Sequence, residues 1–441
     1  MSDFAGTSAS ATLSGSAIRF RCMSCGAEFD GNQAIIICSG CGGLLDTMID
    51  TDRTLTPDDF TPTPGTASAI SGVWRYRALL PAIPEESIVT RWEGNTPLYE
   101  DGRLGDYAGL TGGSIALKHE GHNPTGSFKD RGMTVAVSHA RAIGSSVVAC
   151  ASTGNTSASL ASYASSAGMA SIVLVPDGKI SAGKLAQTIA FGATVVQVEG
   201  DFDVALRLLR QLTSEEDIYL TNSVNPIRLE GQKSIVFELL AQRDWKAPDV
   251  IALPGGNLGN TSAFGKALSE AFQVGLIDRL PRIATIQAEG AAPFAAYYAS
   301  GFDHYEEIEA ETVATAIKIG APASVPRARR TIEQTSGWVT TVSDQELLDA
   351  KAIIDGIGIG CEPASATSLA GVRRLVADGH ISPDADVVGI LTGNVLKDTE
   401  AITAYHLDDG NGQPSAYANR PVRVEATIDA LKRVVHDAVQ R

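Results

Sequence analysis

An α/β fold built on parallel sheets, preceded by a small cysteine-rich module, is what the 441-residue sequence predicts. Three observations predict it. From about Ser145 onward, short β-branched or apolar runs alternate with stretches of helical periodicity, the signature of strand–helix–strand units with helices on both sheet faces. Polar, Gly-rich loops sit at the ends of those runs, where α/β sheets place their ligands. Ahead of them lie Cys22-x2-Cys25 and Cys38-x2-Cys41, with 12 residues between the pairs.

At ~150 residues per domain the length gives about three domains, or two if one is a large α/β unit. The expected organisation is a disordered stretch over 1–17, a zinc-ribbon-like module over 18–50 and a linker over 51–72, where Pro57, Pro62 and Pro64 lie among Thr, Asp and Ser. The main domain spans 73–407, and a loop and a C-terminal amphipathic helix fill 408–441. Strands are expected at 147–150, 171–175, 194–198, 218–220, 249–253, 283–287 and 387–391. Helices are expected at Asp203–Leu212 and Ser234–Gln242, with a further helix pair between Val342 and Asn394. In the tail, Val424, Ile428, Leu431, Val435 and Ala438 recur at helical spacing, and that stripe is expected to pack against its own domain more readily than against a neighbour.

Charge narrows the function classes. Lys and Arg number 35 against 51 Asp and Glu, a net −16. So acidic a chain disfavours extended contact with nucleic acid or an anionic membrane, and any anionic ligand must find its positive charge locally. The run from Ala142 to Pro176 is uncharged over 35 residues, long enough to span a bilayer. Its Ser, Thr, Gly and Asn residues, including 152–157, interrupt the apolar density a membrane helix needs, and it reads as strand, loop, helix and strand. The first 17 residues carry no basic or apolar leader pattern, so a cytoplasmic location is expected.

The four paired cysteines have the arrangement of two knuckles giving four thiolates to tetrahedral Zn²⁺, with Gly26, Gly40, Gly42 and Gly43 allowing tight turns. Disulfides are the alternative, though nothing else points to an oxidising compartment. Arg19 and Arg21 face Glu28, Asp30, Asp46 and Asp50, which leaves residues 19–50 at net −2 before the thiolates. A ribbon of that charge is expected to be structural, not a nucleic-acid reader. Cys150 and Cys361 are expected as buried small hydrophobes.

Standard nucleotide signatures fail. Gly178 to Lys184 has Walker A spacing, but Leu185 stands where the Mg²⁺-binding hydroxyl belongs. Gly356, Gly358 and Gly360 lack the third glycine of the dinucleotide fingerprint, because Cys361 occupies it. His119 and His122 are one residue short of a zincin pair. What remains is a series of loops: HisAsnProThrGlySerPheLysAspArgGly at 122–132, SerThrGlyAsnThrSer at 152–157 and GlyGlyAsnLeuGlyAsn at 255–260. The second and third precede helices, whose N-termini favour carboxylate or phosphate.

At these residues the chain resembles the fold-type II enzymes of pyridoxal 5′-phosphate, and among them the threonine synthase family. The resemblance runs from about Arg91 to Thr399, through TrpGluGlyAsnThrProLeu, the three loops above, GluProAlaSer and ThrGly-x-x-LeuLysAsp in that order. It implies a tryptophan synthase β-like fold of two parallel-sheet α/β lobes. It further implies that Lys129, beside Phe128, holds the cofactor covalently and that Asn155 bonds the ring 3′-oxygen. Gly255, Gly256, Asn257, Leu258, Gly259 and Asn260 would cradle its phosphate, and Thr392 would face the pyridine nitrogen. Asn394 and Val395 depart from the His and Gly usual after that ThrGly.

On the substrate side, Ser152, Thr153 and Thr156 resemble residues that hold a carboxylate or the nearby phosphate. Lys184, Asn222, Ser223, Arg228 and Asn257 match positions that grip the phosphate of O-phosphohomoserine. The implied reaction turns O-phospho-L-homoserine and water into L-threonine and phosphate. The freed Lys129, with its pKa lowered by burial and neighbouring cations, would move the protons. A cysteate synthase or a threonine dehydratase-like lyase is the alternative on this scaffold, although a dehydratase has no use for the phosphate grip. A catalytically dead ribbon interaction protein is the alternative of another class. The expected partners are a small phosphorylated amino acid and a second copy of the chain in a homodimer.

Overall fold

The computed structural model of the protein describes residues 18–178, 182–200, 202–407 and 415–439. The stretch 1–17, expected as disordered, and loop residues 408–414 lie outside the described residues.

Strands β1 (Arg19–Cys22), β2 (Glu28–Asp30) and β3 (Leu45–Thr47) form a small antiparallel sheet in the order β2-β1-β3. β4 (Leu98–Glu100) and β5 (Ser114–His119) open a larger sheet. The chain then leaves to build a second lobe from β6 (Val147–Ala151), β7 (Ala170–Pro176), β8 (Thr194–Val198) and β9 (Ile218–Leu220), all parallel, in the order β8-β7-β6-β9. It returns with β10 (Val250–Pro254), β11 (Arg282–Ala288), β12 (Trp338–Val342) and β13 (Asp386–Leu391) to complete a six-stranded sheet in the order β12-β11-β10-β13-β5-β4. This sheet is parallel except at its edge, where β4 pairs antiparallel with β5, a departure from the all-parallel expectation.

The alternation of side chains assigns each strand to two cores. Ile251, Leu253, Val388 and Ile390 enter one apolar cluster of the large lobe, while Val250, Ala252, Val387 and Leu391 enter the other. Helices therefore cover both faces, as a parallel sheet requires. The smaller lobe repeats the pattern, with Val148, Cys150 and Val173 on one side and Ala149, Ala151 and Leu174 on the other.

Three stretches differ from expectation. The helix expected from Ser234 begins at Pro226 and runs to Gln242. It is buried from Pro226 to Leu240, so no polar face marks its first half. Its start is fixed by the Asn225 side chain, which accepts from Ile227 N at 2.9 Å and Arg228 N at 3.2 Å, followed by Pro226 at a position that needs no N–H. The segment 51–72, expected as a linker, is packed: Leu55 and Phe60 are buried in the main core, and Phe60 stacks on Trp245 at 5.2 Å. The tail helix forms over Ile428–Val439, but Ile428, Leu431 and Val435 are exposed and only Ala430 is buried, so its stripe does not pack on its own domain.

The ribbon is docked firmly. Ile18, Phe20 and Leu45 share a core with Trp74, Val135 and Ile227. Asp46 pairs with Arg327 and Arg330, and Gly31 O accepts from His139 Nε2 at 2.6 Å. Val135 and His139 lie on the helix Lys129–Ala142, and Ile227 on Pro226–Gln242, so the module braces two helices that reach the site.

Candidate active site

Five loops converge where parallel strands end. After β5 the chain turns through 120–128 into the helix that starts with Lys129, and after β6 it turns through Ser152–Gly154 into the helix Asn155–Ala167. After β9 it enters the helix at Pro226, after β10 it passes 255–258 into the helix Gly259–Gln273, and after β13 it reaches Thr392. A bridge between Ser127 and Gly393, with Phe128 N donating to Thr392 O at 3.0 Å, ties the first loop to the last.

Lys129 is partly exposed to this cleft, with its Nζ 3.7 Å from the centre of the Phe128 ring. Desolvation and the Arg228 guanidinium lower its pKa to about 7, while Glu362 pulls the other way. Next to it Asp130 is buried and held by Thr125 N and Thr125 Oγ1 at 2.7 Å and by Ser159 Oγ at 2.6 Å. Burial outweighs those bonds and pushes its carboxyl up to about 6.

Asn155 Nδ2 donates to Glu362 Oε2 at 3.0 Å, and Thr392 Oγ1 donates to Glu362 Oε1 at 3.1 Å. Glu362 thus joins two residues expected at neighbouring polar positions of the cofactor ring, its 3′-oxygen and its nitrogen. It is buried, which raises its pKa. The signal that could have found it is the GluProAlaSer run, whose Glu362 and Ser365 both reach Thr392. Lys397, at the end of ThrGly-x-x-LeuLysAsp, is a second residue whose place sequence reasoning missed; it bonds Gln187 and sits close enough to Glu362 and Asp130 for each to act on its charge.

In the Gly-rich loop, Leu258 is left-handed at φ 63° and precedes the helix. A Cβ at Gly255 would come within 2.6 Å of Thr285 Cγ2, and one at Gly256 within 3.1 Å of Ile317. Asn257 Oδ1 accepts from Ala323 N at 3.1 Å, and Asn260 Oδ1 accepts from Gln232 Nε2 at 2.5 Å, so both asparagines fix the loop.

Arg228 is buried, donates through Nη1 to Thr221 O at 2.9 Å and lies 3.5 Å from Thr156 Oγ1. Its Nε has no partner among the described residues, and neither has the hydroxyl of buried Ser127. Ser152 Oγ accepts from Gly154 N at 3.3 Å, with Thr153 half-buried beside it. Asn222 reaches the site, but its amide is engaged at both ends with the Ala151 backbone at 3.0 Å, so it shapes the loop end. Ser223 is half-buried in the turn that follows. The Lys184 side chain lies outside the described residues.

These features match the needs of pyridoxal phosphate. They include a lysine with a lowered pKa, a glycine cradle closed to side chains at a helix start, and buried donors without partners. The profile of the family described as "Pyridoxal-phosphate dependent enzyme" matches residues 89–393. A threonine synthase of Methanocaldococcus jannaschii is 42% identical over 419 residues, covering 95% of this chain and 99% of that protein. One of Mycobacterium tuberculosis is 46% identical over 341 residues, covering 77% and 90%. The chain belongs to the threonine synthase family of pyridoxal-phosphate dependent enzymes. In fold it is similar to the threonine synthase of Escherichia coli, with a TM-score of 0.68 at 19% identity over 95% of this chain and 100% of that one. A tomato threonine deaminase superposes with a TM-score of 0.60 at 20% identity over 76% and 92%.

In the ribbon, the sulfur atoms of Cys22, Cys25, Cys38 and Cys41 lie within 4.8 Å of one another. Cys22 and Cys41 are 3.5 Å apart and Cys25 and Cys38 3.6 Å apart. A tetrahedral site with Zn–S bonds of about 2.3 Å has S···S edges of about 3.8 Å. Each knuckle turns at a left-handed glycine: Gly26 N donates to Cys22 O at 3.0 Å, and Gly42 N to Cys38 O at 2.9 Å. The donor set fits structural zinc. Among the described residues no helix is long and apolar enough to cross a membrane.

Proposed function

We propose that the chain converts O-phospho-L-homoserine and water to L-threonine and phosphate. Arg228 carries the reading. A guanidinium taken out of water with an unpartnered Nε calls for an anion, and the Thr156 hydroxyl stands beside it. Kinship with proteins named threonine synthase over nearly the whole chain supports the same substrate.

When bound, pyridoxal phosphate supplies an electron sink for charge developing at the substrate Cα. The residues of the chain supply the rest. Lys129, poised near neutrality, holds the cofactor and, once displaced by the substrate amine, takes up and returns protons. Phe128 lies against the Lys129 amine, Asn155 and Thr392 would hold the ring at its hydroxyl and nitrogen, and Gly255–Asn260 would take the cofactor phosphate. Ser152, Thr153 and Thr156 orient the substrate carboxylate. Arg228 would stabilise the departing phosphate, and Lys184, Ser223, Asn222 and Asn257 are assigned to the same phosphate by the family resemblance. The same reading includes a homodimer, structural zinc on the four clustered cysteines and a cytoplasmic setting.

Holoenzyme is expected to show the visible band of lysine-bound cofactor and to release phosphate and threonine from O-phosphohomoserine. Lys129→Ala should lose both. Retention of the band in that variant would overturn the cofactor assignment. Release only from O-phosphoserine with sulfite would move the chain to cysteate synthesis.

A further inference from the structure

We infer that Glu362 and the pyridine nitrogen of the cofactor share one proton across the Thr392 hydroxyl, so that Glu362 sets the ring's protonation without touching it. The inference rests on the proposed placement of Thr392 at that nitrogen and goes beyond it. A lone hydroxyl there implies an unprotonated ring; the hydrogen bonds around this one imply otherwise.

Protons and lone pairs around Thr392 can be counted. Ser365 Oγ accepts from Thr392 N at 2.8 Å and from Gly393 N at 3.1 Å, which fills both its lone pairs. Its own proton must therefore go to Thr392 Oγ1, 3.0 Å away. Thr392 is left with one lone pair and one proton for two neighbours, Glu362 Oε1 at 3.1 Å and the ring nitrogen. If Glu362 is ionised, it takes that proton, and the remaining lone pair can only accept from a protonated ring nitrogen. If Glu362 carries the proton, Oε1 donates to Thr392, whose own proton then turns to an unprotonated nitrogen. The two states differ by a concerted shift: Oε1–H breaks as Thr392 gains that proton, and the Thr392 proton passes to the nitrogen lone pair. Total charge is unchanged.

Burial of Glu362, Thr392 and Ser365 keeps competing water away. Lys397 acts on Glu362 and favours its ionised form against burial. Asn155 Nδ2, donating to Oε2, fixes which carboxyl oxygen faces Thr392. Gly393 preserves the arrangement, since a Cβ there would lie 2.4 Å from the Glu362 carboxyl. Glu362 is accordingly a positioning residue that acts through Thr392.

The test is nitrogen NMR of holoenzyme loaded with ring-¹⁵N pyridoxal 5′-phosphate. Wild type is expected to show an upfield, protonated contribution. Glu362→Gln must turn its oxygen to the Asn155 donor and its NH₂ to Thr392, which mimics the protonated acid, so the upfield contribution should vanish while the visible band persists. Thr392→Val cuts the bridge and should give the same loss, which covers a failure of Glu362→Gln to fold. A wild-type resonance wholly at the unprotonated position, or a variant resonance that coincides with wild type, would overturn the relay. Failure of the underlying reading is distinguishable: Lys129→Ala would then keep the visible band.

Discussion

Removing Arg131 is expected to destabilise the protein by a pH-dependent amount that the surrounding bonds set. Arg131 is fully buried, two residues from Lys129, and meets Glu120 at 2.6 Å and Glu238 at 2.8 Å. In Arg131→Met, Glu238 keeps Lys118 Nζ at 2.6 Å and the N–H groups of Asn95 and Thr96 at 2.8 Å. Glu120 keeps only neutral donors, Thr96 Oγ1 at 2.7 Å and Asn123 Nδ2 at 2.8 Å, so one carboxylate is left buried without a cation. Breaking such a pair costs about 3–5 kcal/mol. The stranded carboxylate can escape by taking a proton, and protonating an ordinary glutamate costs ~3.7 kcal/mol at pH 7 but only ~1 kcal/mol at pH 5. The loss should therefore be near ~3–4 kcal/mol at pH 7 and fall toward ~1 kcal/mol at pH 5, because a carboxyl that binds its proton more tightly folded than unfolded loses stability as pH rises. Urea unfolding at the two pH values measures it, with the double variant Arg131→Met/Glu120→Gln closing the comparison. A pH-independent loss, or a double variant no more stable than the single, would refute the account.

Three further outcomes follow from the site and the ribbon. Arg228 lowers the Lys129 pKa and is proposed to meet the substrate phosphate, so Arg228→Gln should cut kcat/KM by about 10–100-fold and move the acid limb of its pH profile, expected at about 7, to higher pH; an unmoved limb would separate Arg228 from Lys129. Asp130 at about 6 holds its proton in the folded state where an unfolded aspartate has lost it, so stability should fall as pH rises from about 4 to 6, by up to ~3 kcal/mol. Asp130→Asn should flatten that slope in unfolding measurements. Cys22→Ser should reduce bound zinc from about one per chain to none and lower the unfolding temperature. Because the ribbon packs on Val135 and Ile227, it should weaken cofactor retention as well, read from the visible band under dialysis.

Much of the fold was legible because the strands are short apolar runs bounded by turn residues. The runs at 194–198 and 218–220 match their strands in full, and the others differ by a residue or so at the ends. The helix Pro226–Gln242 was half hidden for a physical reason: a helix buried on all sides carries no periodic stripe. Composition also misled at 51–72, where Pro and Thr suggest a free tether. Phe60 and Leu55, the apolar residues that anchor it, find their partners only in the folded core.

The site divides along the same line. Residues in local motifs, such as Lys129 in its loop and the glycines of 255–259, announce themselves because their chemistry needs their immediate neighbours. Glu362 does not, since its meaning depends on Asn155, which is 207 residues away, and on Thr392, 30 residues on. Local positive charge, which an acidic chain must supply to any anion, follows this pattern too. Arg228 is proposed as an anion site because burial leaves its Nε unpartnered among the described residues, whereas equally buried Arg131 is committed to Glu120 and Glu238. Both arginines are 2% exposed or less. What separates them is the supply of acceptors: the fold gives Arg131 two carboxylates and gives Arg228 backbone and hydroxyl oxygens alone, so only Arg228 retains charge for a substrate to neutralise.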